Sequence, residues 1–265
     1  MKSNHTFVIP VYQNSPYLEI CINNLKKQSI ESNIIITTST PTKNTRRIAD
    51  KYNLEYYAYE GDKKGIGNDW NFALSNVRTQ YATIAHQDDI YERSFTETVL
   101  NKIKHIKKPL LIFTDYYDLV NEKKRKSSLN YKIKKTLLFP FLVKNSHSWF
   151  IIKKGILLLG DPICCPSVTL NLKDIENSHK IFSPNYMCAL DWIAWLKIAR
   201  QKGSFIFINK KLIQHRIHDE SETTASLNSG VRQKEEYLIF KKIWGPFIAK
   251  ILGKIYAVGH KDNQI

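Results

Sequence analysis

Within the first hundred residues, β-rich runs alternate with apolar residues at helical spacing, and this repeated change of period constrains the fold more than any other feature. Residues 6–11 read as a strand, and Ser15 and Pro16 then start a helix whose apolar positions are Leu18, Cys21, Ile22 and Leu25. The same logic predicts strands at 33–38, 54–59 and 81–85 and helices at 42–52 and 68–76. A β-α-β-α-β-α-β order with short connections predicts an α/β domain with a mostly parallel, Rossmann-like central sheet and flanking helices. In such a sheet ligands sit beyond the carboxyl ends of the strands.

Further along, the pattern predicts a helix at 94–107 and strands at 110–115, 149–153 and 166–172, then a helix at 191–201 and a strand at 204–208. From Ile243, apolar pairs (Phe247 and Ile248, Ile251 and Leu252, Ile255 and Tyr256) alternate with Lys250, Lys254 and Lys261, giving an amphipathic C-terminal helical extension. It either packs on the domain or lies on anionic lipid. The expected organisation is a first part at 1–115, a second part of the same domain at 116–228, and the extension at 229–265.

Composition excludes other classes. With 43% hydrophobic and 24% charged residues and only 10 Gly and 9 Pro, the chain of 265 residues is neither fibrous nor disordered. The formal charge of +16 is uneven: residues 1–100 hold 11 basic and 11 acidic side chains, residues 101–265 hold 29 and 13. Lys123-Lys124-Arg125-Lys126 with Lys132, Lys134 and Lys135 predict an exposed basic loop or face, either simply solvated or suited to an anionic membrane surface or nucleic acid. No RNA-binding or helix-turn-helix signature accompanies the charge, so no nucleic-acid partner is expected. Cys21, Cys164, Cys165 and Cys188 lack metal-ligand spacing and read as buried or pocket-lining thiols. Residues 1–11 are too short an apolar stretch for a signal peptide, and no run approaches the roughly 18 apolar residues of a spanning helix. The expected location is cytoplasmic, with peripheral attachment at the inner face of the plasma membrane as its extension.

Three clusters carry chemistry. His86-Gln87-Asp88-Asp89 follows a strand, and its carboxylates suit a hard cation such as Mg²⁺ or Mn²⁺, although acidic pairs also serve as helix caps. Asp191-Trp192 opens a helix, and His215-Arg216-Ile217-His218-Asp219-Glu220 follows the last strand.

Taken in order, Val8-Ile9-Pro10-Val11-Tyr12, the Gly65-x-Gly67-x-x-x-Asn71 turn, His86-Gln87-Asp88-Asp89, Asp191-Trp192 and Arg216-x-His218 resemble family 2 glycosyltransferases of the GT-A fold, over roughly residues 5–225. Thr38-Ser39-Thr40-Pro41, Cys164-Cys165-Pro166-Ser167 and His215-Arg216-Ile217-His218 resemble members that build bacterial surface polysaccharides. The resemblance implies an inverting, metal-dependent hexosyltransferase that uses a nucleotide-diphosphate sugar, a UDP-sugar above others, and a glycan or lipid-linked acceptor. It implies that Pro10, Tyr12, Thr38, Ser39, Gly67, Asn71, His86 and Asp88 line the donor pocket, that Asp88, Asp89 and His218 hold Mn²⁺ or Mg²⁺, and that Asp191 is the general base. Trp149, Trp192 and Trp195 are candidates to stack on sugar, with core packing the alternative. The chain departs from the family pattern in two places. His86 stands where a carboxylate is usual, and the strand-two turn carries Thr38 and Ser39 instead of the acidic residue that contacts uracil in many relatives. A catalytically inactive glycan- or nucleotide-binding protein on the same fold is the second reading, and a basic nucleic-acid-binding protein the third. Sugar, base, acceptor, linkage and oligomeric state are not encoded legibly.

Overall fold

The structure, a computed structural model, describes residues 3–63, 65–125, 128–143, 149–218 and 229–260. Lys126, Lys261, Asp219 and Glu220 lie outside the described residues.

The alternation becomes β1 (His5–Val11), α1 (Leu18–Lys26), β2 (Asn33–Thr38), α2 (Lys43–Tyr52), β3 (Glu55–Ala58), α3 (Ile66–Ser75) and β4 (Tyr81–Ile84). Thr42 caps α2 through a reciprocal capping box with Thr45, which explains why that helix begins where the sequence places it. β1 pairs in parallel with β2 and with β4, and β2 with β3. Phe7 and Ile9 belong to one core cluster and Val8 to another, so the sheet is covered on both faces, as a parallel sheet requires.

β5 (Ile90–Tyr91), α4 (Phe95–Ile103), β6 (Pro109–Val120) and β7 (Lys123–Lys124) follow, then α5 (Leu129–Leu138), α6 (Phe150–Leu158), β8 (Val168–Asn171), α7 (Leu190–Ala199), β9 (Ser204–Ile217) and α8 (Val231–His260). The nine strands found among the described residues form one sheet, ordered β3-β2-β1-β4-β8-β6-β9-β5 with β7 paired to β6. β8 is antiparallel to both neighbours, whereas β6 and β9 run parallel along their length. The α/β architecture and its C-terminal helix are those expected.

One expectation is corrected. Residues 149–153 are not a strand: α6 continues the short apolar run into a helix. Period alone does not separate the two for so short a run. Lys153 is buried and donates to the carbonyls of Gln201 and Gly203, both at 2.8 Å, which pins the helix against the chain between α7 and β9. Of the loop or face expected for the basic segment, the structure has a face carried on regular elements. Lys123 and Lys124 form a hairpin arm, and Lys132, Lys134 and Lys135 ride on α5, whose start is capped by the Ser128 hydroxyl accepting from the Tyr131 amide. Only Leu138 of α5 is buried, so its helical period is nearly invisible in the sequence. Lys135 and Tyr131 anchor it to buried Asp115 on β6.

Helix α8 is interrupted at Gly245, whose φ of 77° favours glycine, just before Pro246. Ile239, Phe240 and Ala249 are fully buried, and the Trp244 indole donates to the Leu158 carbonyl at 2.8 Å. One face of the extension therefore packs on the domain. Among the described residues no helix is long and apolar enough to cross a membrane.

Candidate functional site

The carboxyl ends of β1, β2 and β4 converge because Val11 lies opposite Thr38 and Val8 opposite Ile84. Tyr12, Ser39 and His86 follow at one edge. Gln87 ties the edge together, its side chain accepting from the Tyr12 amide at 3.3 Å and donating to the Tyr12 carbonyl at 3.4 Å.

β9 supplies the opposite wall of the acidic loop. The Arg216 amide donates to Oδ1 of Asp89 at 2.8 Å, and its Nε donates to the Asp88 carbonyl at 2.9 Å. The guanidinium lies 4.3 Å from the centre of the Tyr17 ring and pairs with Glu122. Nε2 of His218 meets Oδ2 of Asp88 at 3.0 Å. The loop after β4 is thus held by β9 and the residue that follows it.

The loop's electrostatics are those of a carboxylate pair short of positive charge. Burial pushes Asp89 up to about 7, with Asp88 adding to the effect, while its Oδ2 has no hydrogen-bond partner among the described residues. At Asp88 burial acts upward too, but the His218 bond and the nearby histidines outweigh it and hold the carboxyl below its ordinary value. Burial lowers His86 to about 4, so its imidazole is neutral at pH 7, and its Nε2 is likewise unpartnered. Its ring lies 5.3 Å from that of Trp70.

One ligand atom from each of His86, Asp88 and Asp89 falls within 4.8 Å of the others. Two carboxylate oxygens, one of them on Asp89 whose buried Oδ2 is unpartnered, and a neutral imidazole nitrogen fit Mn²⁺ or Mg²⁺, whose charge would reverse the upward push on Asp89. His218, expected as a ligand, lies beside that cluster, its Nε2 against Oδ2 of Asp88.

Asp191 occupies the first turn of α7, where its Oδ1 accepts from the Trp192 amide at 2.8 Å and burial raises its pKa. Desolvation, with Asp191 and Asp89 adding to it, pushes up the thiols of buried Cys164 and half-buried Cys165, so both carboxylates lie within electrostatic reach of that segment.

The other expected residues divide by role. Thr38 is buried at the end of β2, where its hydroxyl accepts from the Thr40 amide at 3.0 Å, and the Ser39 hydroxyl donates to Asp69 at 3.0 Å. Pro10 is half-buried on β1, and Tyr12 is 59% exposed. Gly67 is pressed against the Ser183-Pro184 backbone, where an added Cβ would stand 2.8 Å from the Ser183 oxygen. Asn71 clamps the main chain of Phe182, donating to its carbonyl at 2.8 Å and accepting from its amide at 3.1 Å. These two residues therefore hold the 182–184 segment against α3. Trp192 and Trp195 are buried in the core, and Trp149 is 56% exposed.

Sequence reasoning missed Glu235. From α8, its carboxylate accepts from the amides of Met187, Cys188 and Ala189 at 2.7, 2.9 and 3.0 Å, capping the N-terminus of α7 just ahead of Asp191. Arg232, one turn earlier, pairs with Glu236 at 3.0 Å and draws the Asp191 pKa back down. The available signal was a Glu-Glu pair in a lysine-rich helix, where carboxylates facing inward need partners.

Comparisons with known proteins identify the family and the fold. The family model described as glycosyl transferase family 2 matches residues 6–178. An uncharacterized glycosyltransferase of Rickettsia typhi is 25% identical over 254 residues, covering 93% of this chain and 72% of the relative. Another, from Rickettsia felis, is 26% identical over 81% of this chain, and there the chain spans only 34% of the relative. Among solved structures, Staphylococcus aureus TarS 1–349 in complex with UDP-GlcNAc aligns with a TM-score of 0.65 at 16% identity, over 99% of this chain and 73% of that one. The mannosyltransferase PcManGT of Pyrobaculum calidifontis, in complex with GDP-Man and Mn²⁺, aligns at 0.63 and 13% identity, over 99% and 71%.

Proposed function

The chain belongs to glycosyl transferase family 2, and from that premise we propose that it transfers a sugar from a nucleoside-diphosphate donor, a UDP-sugar above others, to a hydroxyl of a glycan or lipid-linked saccharide. The product is read as part of a bacterial surface polysaccharide, formed with inversion at the anomeric carbon. The observation that carries the proposal is the close-set donor trio of His86, Asp88 and Asp89 at the carboxyl edge of a parallel sheet. That neighbours of the same fold were solved with UDP-GlcNAc, or with GDP-Man and Mn²⁺, supports it.

A divalent cation held by His86, Asp88 and Asp89 would neutralise the charge that develops on the departing diphosphate. The chain's own residues do the rest. Arg216 and His218 fix the carboxylates before donor arrives, so little reorganisation is left for the reaction. Asp191 takes the proton of the acceptor hydroxyl as its oxygen attacks the anomeric carbon in line with the leaving group, and one displacement inverts that centre. Burial raises the basicity Asp191 needs for this task. Tyr12 and the Thr38-Ser39 turn border the base and ribose.

The test is a screen of nucleotide sugars by thermal stabilisation with and without Mn²⁺, followed by an assay of nucleoside-diphosphate release with saccharide acceptors. Metal-dependent stabilisation with acceptor-dependent release is expected. Stabilisation without turnover would select the binding-only reading, and stabilisation by none would remove both.

A further inference from the structure

The helices α5, α6 and α8 share one core cluster, to which they contribute Leu138, Ile156, Phe240 and Ala249. Their outer surfaces are unlike the rest of the molecule. Of the 18 exposed large apolar side chains among the described residues, 15 fall within residues 129–159 and 238–255. Single exposed apolar residues are ordinary; a concentration of this kind marks an interaction surface.

Past the break at Gly245, α8 is apolar on two sides. Ala249, Leu252 and Tyr256 face the domain, whereas Phe247, Ile248, Ile251 and Ile255 are 77%, 41%, 48% and 59% exposed along the opposite stripe. A water-facing helix needs only one apolar stripe, so the second lacks a partner. Lys250 and Lys254 are exposed beside it. The two carboxylates of α8, Glu235 and Glu236, are buried, so among the described residues no acidic side chain of this helix dilutes the surface. The neighbouring stretch from Lys123 to Gly160, part of which lies outside the described residues, holds ten Lys or Arg and no Asp or Glu.

We propose that this face, centred on Phe247, Ile251 and Ile255 with Lys250 and Lys254, docks the protein on an anionic bilayer surface. Charge complementarity selects that occupant. Apolar side chains enter the boundary between headgroups and acyl chains while lysines meet lipid phosphates, and a neutral apolar partner would leave the lysines unanswered. The active-site residues play no part, so the inference stands or falls separately from the transferase reading.

The test is co-sedimentation of the full chain, without nucleotide, with vesicles of phosphatidylglycerol and phosphatidylcholine in equal parts, and with phosphatidylcholine alone. The proposal expects binding to the mixed vesicles at least tenfold tighter than to neutral ones. It expects Phe247→Glu with Ile251→Glu to abolish binding, and Lys250→Gln with Lys254→Gln to weaken it about tenfold. Thermal unfolding and nucleotide binding of these surface variants should match the parent, which separates loss of docking from loss of fold. Absence of sedimentation, equal binding to both vesicles, or unchanged binding by the glutamate variant would each overturn it. So would self-association in lipid-free solution that the glutamate variant abolishes while vesicle binding persists, since a second copy would then be the occupant.

Discussion

Nε2 of His218 lies 3.0 Å from Oδ2 of Asp88, joining the residue after β9 to the loop after β4. The contact makes the far end of the chain part of the acidic motif. Replacing His218 with Ala should free Asp88 and weaken metal-dependent nucleotide-sugar binding about 10–100-fold, the usual effect of losing a support of a metal site. Calorimetric titration with Mn²⁺ reads this directly, and an unchanged affinity would reduce the contact to packing.

Asp191→Asn keeps the side chain's size and removes its basicity. Transfer should fall about 10²–10⁴-fold while donor affinity stays within about twofold. In the parent, transfer should decline on acidification through a midpoint above the ordinary carboxylate range, because burial raises the Asp191 pKa and the protonated acid is not a base. A variant that turns over normally would remove Asp191 from this role.

Glu235 acts one step behind the chemistry. Glu235→Gln leaves three amides ahead of α7 facing a neutral group, so the melting temperature should fall and the turnover number should drop with little change in donor KM. A drop confined to stability, with both kinetic constants intact at low temperature, would restrict Glu235 to a structural cap.

Arg216→Met breaks the Nε bond to Asp88 and the stack on Tyr17 but keeps the amide bond to Asp89. Its guanidinium is buried and Glu122 is largely exposed, so the hydrogen bond matters more than the ion pair. The expected cost is about 1.5–3 kcal/mol, or about 3–12 °C in melting temperature. A thermal melt within 1 °C of the parent, on the order of experimental error, would mean that the loop holds itself.

His215 faces Asp118 at 3.7 Å. Burial acts to lower its pKa, but Asp118, helped by Asp89 and Asp88, wins and holds it at about 9. An unfolded histidine titrates near 6.5, so the folded state binds the proton more tightly, as about pH 6.5 to 9 should reveal. The stabilisation is complete below that window and is lost as pH rises through it. Melting curves across the window should decline in the parent and less so in His215→Gln; parallel curves would contradict the assignment.

The strands β1 and β2 were legible because burial imposes β-branched runs, Thr6–Val11 and Asn33–Thr38, between helices of clear period. The acidic loop and Arg216-x-His218 were legible as an ordered set of motifs, although the relative placement of His86 and His218 was not, since it depends on which nitrogen points where. α6 was misread because five apolar-rich residues satisfy either period. α5 was missed because its stability comes from Asp115 and the Ser128 cap instead of a buried stripe. Glu235 sits 46 residues from the Ala189 amide that it accepts from, a tertiary pairing that no local pattern encodes.

The most direct test of the central claim is calorimetric titration of the intact protein with UDP-sugars and GDP-sugars, with Mn²⁺ present and then chelated, repeated on Asp89→Ala. The account predicts that one donor binds with at least tenfold gain from Mn²⁺ and that Asp89→Ala erases the gain. Equal affinity with and without the ion, in a protein that still transfers sugar, would contradict it.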